Sequence, residues 1–191
     1  ILNRYSEINL SQWKLLELGK LTREEVLVRR YEILFQEVGM SCDAKKISEK
    51  YEDFLGEGHY FIPGAKELLE DLSKKYHLYL ASNGAVKVQM SRIKSAGIEK
   101  YLEKIFLSEQ IGYEKPSPQF FEKCFAQIPD FKKEEALILG DSLTSDIRGG
   151  KNAGILTVWF HPSGKKVEEE IVPDYEIGKL EELKTILSFY S

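Results

Sequence analysis

From Leu2 to about Gly58 the apolar positions recur at helical spacing, whereas beyond Phe61 they gather into short, nearly unbroken runs. The first helix carries Ile8, Trp13, Leu15, Leu16 and Leu18 and stops at Gly19. Thr22-Arg23-Glu24-Glu25 then has the form of a capping box, in which Thr22 accepts from the Glu25 backbone while the Glu25 carboxylate reaches back. Val26, Arg29, Arg30, Ile33, Leu34 and Val38 follow with mixed apolar and charged faces, and Gly39 ends that helix. Asp43 opens another through Ile47, Tyr51, Phe54 and Leu55, closed by Gly56 and Gly58.

After Pro63 and Gly64 a helix presents Leu68, Leu69 and Leu72, and the rhythm then alternates. Strands are predicted at His77–Ala81, Ile105–Leu107, Ala136–Leu139, Ile155–Phe160 and Tyr175–Ile177. Helical stretches separate most of them, one starting with Ser117 as N-cap and Pro118 at the first helical position. Apolar strands separated by helices predict a Rossmann-like α/β fold, a parallel sheet with helices on both faces. Residues 61–191 are expected to form that core, and residues 1–60 a small all-α insert or cap domain.

Composition narrows the function. The net charge of −4 excludes a general nucleic-acid binder, which needs a cationic surface, but leaves room for one small phosphorylated ligand. Cys42 and Cys124 are far apart, without His or Cys at metal-ligand spacing, and are expected to be free, buried thiols in a reducing compartment. No apolar run reaches membrane-spanning length and no signal peptide is visible, so a cytoplasmic location with no membrane partner is expected. The chain enters polar, helix-like sequence at Ile1 without an initiator methionine, and a trimmed N-terminus is the expectation.

In parallel α/β sheets ligands bind beyond the carboxyl ends of the strands, so the residues there carry the candidate chemistry. The first strand runs into Ser82-Asn83-Gly84, which offers a hydroxyl, an amide and a flexible backbone to a phosphate; alone, it reads first as a turn. The second leads to Lys115, placed before Pro116 and a helix start, where an ammonium can neutralise a phosphate and a carboxylate; an isolated lysine is ordinarily a solvated one. The third strand is followed by Gly140-Asp141 and, five residues on, Asp146 in the first turn of a helix. Two carboxylates converging there suit Mg²⁺, although an acidic residue also favours a helix N-terminus for dipole reasons. A carboxylate directly after a buried apolar strand needs a partner, so the case is stronger for Asp141.

Taken in order, these residues resemble the haloacid dehalogenase superfamily of phosphatases. Leu80-Ala81-Ser82-Asn83-Gly84 is similar to the second motif and Lys115 in Gly-Tyr-Glu-Lys-Pro to the third. Gly140-Asp141, Asp146, Gly149-Gly150 and Ala153-Gly154 resemble the fourth, the most specific of them. The resemblance implies catalysis by Ser82 and Lys115, phosphate held by Ser82, Asn83, Gly84 and Lys115, and Mg²⁺ held by Asp141 and Asp146. The helical start is similar to the cap of the first subgroup, which would close over the substrate. The Asp141–Gly150 run, Thr157–Phe160 and Trp13…Gly19 resemble the pyrimidine 5′-nucleotidase branch. A monomer or homodimer hydrolysing a small phosphorylated metabolite, a nucleotide, is therefore expected. Trp13, Tyr60 and Phe61 are candidates to stack on a base, with the hydrophobic core as their first reading. A sugar-phosphate phosphatase, a phosphomutase, and a non-catalytic phosphate binder are the alternatives.

The first motif of the family, an apolar strand ending in Asp-x-Asp, occurs nowhere in the 191 residues. The resemblance places that strand between those ending at Ser82 and Asp141, and its first Asp as the nucleophile. Residues before Ile1 are expected to carry it, and the 191 residues alone are expected to be inactive.

Overall fold

The computed structural model describes residues 1–164 and 170–190. The chain divides into two compact units, Ile1–Gly58 and a second from His59 onward.

The first unit is helical: α1 (Leu2–Glu17), α2 (Arg23–Val38) and α3 (Ala44–Glu57). The capping box forms, with the Glu25 N–H donating to Thr22 Oγ1 at 3.3 Å and the Thr22 N–H to Glu25 Oε2 at 2.7 Å. Gly39 ends α2 at φ 68°, a left-handed conformation that costs a side-chain-bearing residue more than glycine. Asp43 caps α3 by accepting from the Lys46 N–H at 3.1 Å. Arg30 of α2 is only 4% exposed, unusual for a charged side chain. Its guanidinium lies 5.1, 5.2 and 6.0 Å from the ring centroids of Tyr31, Tyr51 and Tyr5, and Nη1 donates to Asn9 Oδ1 at 2.9 Å. A weakly hydrated, planar cation can be buried this way against aromatic faces, which an ammonium does less readily.

The second unit runs α4 (Ala65–Leu72), β1 (Tyr79–Ser82), α5 (Val86–Ala96), β2 (Lys104–Leu107), α6 (Ser108–Ile111), α7 (Pro118–Phe125), β3 (Leu137–Gly140), α8 (Arg148–Ala153), β4 (Leu156–Phe160), β5 (Tyr175–Ile177) and α9 (Leu183–Leu187). β1 starts two residues later than the apolar run indicates. The Leu78 carbonyl accepts from the Glu103 N–H at 2.8 Å, and the exposed His77 ring lies 3.2 Å from the Glu103 carboxylate, before the β1–β2 ladder begins. Ser117 occupies the N-cap position of α7, but its hydroxyl bonds Gln119 Oε1 at 2.5 Å and caps nothing.

Every strand pairing is parallel. Side chains alternate across the sheet, as the period of two requires. Leu137, Leu139, Val158 and Phe160 pack with Leu68 of α4 and Leu183 and Ile186 of α9. Ala81, Phe106 and Ile138 pack with Phe120, Phe121 and Cys124 of α7 and Ala153 of α8. Helices thus cover both faces, and the fold is the expected α/β one.

The pairing falls into two pieces, β1-β2 and β3-β4-β5. Among the described residues, β1 and β3 each have a strand on one side only. A cavity of about 1360 Å³ is lined by Tyr79 and Ala81 of β1, Leu137, Ile138 and Leu139 of β3, and Asp146.

Some side chains differ from expectation. Cys124 is buried, and burial pushes its thiol up to about 12, against a weaker opposing pull from Lys115; Cys42 is exposed, in the irregular stretch between α2 and α3 where every residue from 39 to 43 is exposed. Tyr60 and Phe61 lie in a linking stretch without strand or helix and are 93% and 40% exposed, so neither is a core residue. Trp13 is half-buried and its indole N–H donates to Asn9 Oδ1 at 3.1 Å.

Candidate functional site

Ser82 is the last residue of β1, and Asn83 and Gly84 follow it. Lys115 lies between α6 and α7, Asp141 directly after β3, and Asp146 in a single π-helical turn, Leu143–Ile147, that runs straight into α8. Asp146 was expected in the first turn of an α-helix; the wider turn carries it instead.

Lys115 and Asp146 form the centre of the arrangement. The Lys115 ammonium donates to Asp146 Oδ1 at 2.6 Å, with the two side chains 8% and 9% exposed, and to the Ala81 carbonyl at 2.7 Å. An ammonium has three donors, so one stays uncommitted among the described residues. Asp146 Oδ2 accepts from the Ser142 N–H at 3.1 Å. Ser142 also caps the turn, accepting through its hydroxyl from the Ser145 N–H at 3.1 Å.

The glycine before Asp141 has a steric reason. A Cβ on Gly140 would stand 2.3 Å from the Asp146 carboxylate, closer than such atoms approach. Gly140→Ala is therefore expected to push Asp146 off Lys115 and to lower stability in urea unfolding by about 1–3 kcal/mol. Gly149 and Gly150 let α8 approach closely: a Cβ would fall 2.5 Å from Phe121 at the first and 2.5 Å from Ile138 at the second.

Ser82 Oγ accepts from the Gly84 N–H at 3.0 Å, and its hydroxyl proton remains for an anion. The Asn83 amide bonds the backbone of Lys115 instead, Nδ2 donating to the Lys115 carbonyl and Oδ1 accepting from the Lys115 N–H, each at 2.9 Å. Both groups are thus occupied in part within the site.

Asp141 stands apart from this network. It is exposed, its side chain has no hydrogen-bond partner among the described residues, and its carbonyl accepts from the Trp159 indole N–H at 3.0 Å. The register that pairs Gly140 with Trp159 brings that indole there. In the sequence Trp159 and Ser142 figure only as members of the runs that carry the resemblance, with no role of their own. Ser142-x-x-Ser145 has the spacing of an N-cap, which is the one local signal that finds Ser142.

Oxygen donors of this kind fit Mg²⁺, which takes one or two carboxylates and fills its remaining positions with water and phosphate. Among the described residues no group of three His, Cys, Asp or Glu side chains converges, so no complete protein cage is present.

A family model described as haloacid dehalogenase-like hydrolase matches residues 1–160. The chain is 42% identical to the HAD-hydrolase YfnB of Bacillus subtilis, over 97% of this chain and 79% of that protein. It is 37% identical to the pyrimidine 5′-nucleotidase PynA of Streptococcus pneumoniae, over 94% of this chain and 76% of that one. A crystal structure of YfnB bound to magnesium superposes with a TM-score of 0.92, covering 97% of this chain and 81% of that one.

Proposed function

The chain belongs to the haloacid dehalogenase-like hydrolase family, and from that premise we propose that the complete protein is a magnesium-dependent phosphomonoesterase acting on nucleoside 5′-monophosphates. The observation that carries this reading is the buried Lys115–Asp146 pair, whose ammonium is also bonded to the Ala81 carbonyl next to Ser82 at the end of β1 and keeps one donor uncommitted among the described residues. The nucleotide preference is supported by the likeness to PynA.

In this mechanism Ser82 and Lys115 hold the non-bridging phosphate oxygens and balance the charge that builds on them. Asp146 keeps the Lys115 ammonium in place, and Asp141, whose carboxylate has no other partner among the described residues, would hold the metal directly. Bound there, Mg²⁺ would neutralise the phosphoryl oxygens. The nucleophile is an aspartate outside the 191 residues, on an extended segment seated in the gap between β1 and β3. That reading is supported by the gap, whose apolar walls and one-sided strands match what a central strand requires. Its carboxylate oxygen bonds to phosphorus as the ester P–O bond breaks, and an acid protonates the departing alcohol. Water then cleaves the aspartyl-phosphate, releasing inorganic phosphate and restoring the carboxylate. Ile1–Gly58 is the cap that selects the substrate, and the 191 residues alone are inactive.

A panel of nucleoside 5′-monophosphates and sugar phosphates, assayed with Mg²⁺ and with a chelator, tests the proposal. The best nucleotide should exceed every sugar phosphate in kcat/KM by about tenfold or more, and the chelator should abolish turnover. Preference for a sugar phosphate overturns the substrate class; turnover that survives chelation overturns the metal.

A further inference from the structure

Lys115 is gripped at both ends by one short stretch of chain. Its ammonium donates to the Ala81 carbonyl at 2.7 Å, and its backbone is bonded twice by the Asn83 side chain, Nδ2 to the Lys115 carbonyl and the Lys115 N–H to Oδ1, at 2.9 Å each. Ser82 sits between these two holding points.

Lys115 lies in a stretch with no strand or helix of its own, so no ladder fixes its backbone. A lysine side chain also carries considerable rotamer freedom, which must be suppressed if the ammonium is to stand at one place. A primary amide is well matched to this task. It presents one donor and one acceptor to a peptide unit that offers one of each, and two parallel bonds fix orientation as well as distance. Aspartate keeps the acceptor but sets an oxygen against the Lys115 carbonyl; alanine keeps neither.

We propose that Asn83 is a positioning residue whose amide clamps the Lys115 backbone, so that Lys115 and the Ser82 hydroxyl are held in register by the end of β1. This goes beyond the expectation that Asn83 binds phosphate through its side chain, and its catalytic consequence rests on the phosphatase reading. The ammonium then has its height set by the Ala81 carbonyl and its root set by Asn83, and the loop before α7 follows β1.

The clamp is testable without any substrate. In the complete, ligand-free protein, amide hydrogen exchange at Lys115 should be about tenfold or more faster in Asn83→Ala, the loss of protection that a broken backbone bond brings. Asn83→Asp, which keeps the acceptor, should protect that amide more than alanine does, and Ser82→Ala should leave it unchanged. Unaltered exchange at Lys115 in Asn83→Ala overturns the clamp whether or not the protein is a phosphatase.

Catalysis supplies the second arm. With para-nitrophenyl phosphate and Mg²⁺, Asn83→Ala should lower kcat by about tenfold while KM moves little, and the loss should vanish in a Lys115→Met background. Losses that add in the double variant, or a rise in KM alone, assign Asn83 to the phosphate and overturn the positioning role. A wild-type protein with no phosphatase activity fails the functional reading, and the exchange result alone then decides the clamp.

Discussion

Lys115→Met should destabilise the protein by about 3–5 kcal/mol, because it leaves a buried carboxylate without its cation. The Lys115 and Asp146 side chains are 8% and 9% exposed and lie 2.6 Å apart, so neither charge is solvated by bulk water. With the ammonium gone, Asp146 keeps only the Ser142 N–H among its described partners, at 3.1 Å. A methionine of similar length fills the space but offers no donor. Urea unfolding measures the loss, and Lys115→Met with Asp146→Asn should recover most of it, since two neutral side chains leave no unpaired charge. Phosphatase activity should not return in the double variant, which has neither the ammonium nor the carboxylate. A single variant as stable as the wild type would show that the pair is not the closed, desolvated one described. The pair should also resist salt, since ions screen a buried contact far less than a surface one.

The parts of the structure that the sequence discloses are those with short-range causes. Thr22 and Glu25 sit three residues apart, and their box forms because the helix itself brings them together. The alternation of apolar strands and helices dictates a covered parallel sheet, and the ends of β1 and β3 follow from it, with Ser82, Asp141 and Asp146 in tow. What stays hidden is set by chain segments far apart in sequence. Asn83 and Lys115 are 32 residues apart, and nothing local distinguishes a turn asparagine from one that holds another loop. Arginine is ordinarily exposed, and the burial of Arg30 depends on Tyr5 and Tyr51, which two other helices bring to it. The role of Gly140 is similarly invisible until the turn after β3 swings Asp146 against it.

Asp141→Asn should separate function from stability in the opposite way to Lys115→Met. Of the two carboxylates after β3, Asp146 already accepts a hydrogen bond at each oxygen, from the Lys115 ammonium and from the Ser142 N–H. Asp141 is exposed and its carboxylate has no such partner among the described residues, so it is the one free to coordinate a cation directly. Removing its charge should lower kcat/KM for a phosphate monoester by about a hundredfold or more, the several kcal/mol that a metal supplies to a phosphoryl group. Mg²⁺ binding, followed by calorimetry or by Mn²⁺ paramagnetic resonance, should weaken in parallel. Unfolding in the absence of metal should shift by no more than about 0.5 kcal/mol, as expected for an isosteric change at an exposed position. Near-wild-type, magnesium-dependent turnover by Asp141→Asn would remove this residue from the metal site. Equal weakening of Mg²⁺ binding by Lys115→Met would mean instead that the cation depends on the buried pair. The contrast follows from burial: Asp146 is placed to order the site through Lys115, and Asp141 is placed where an ion arriving from solvent can reach it.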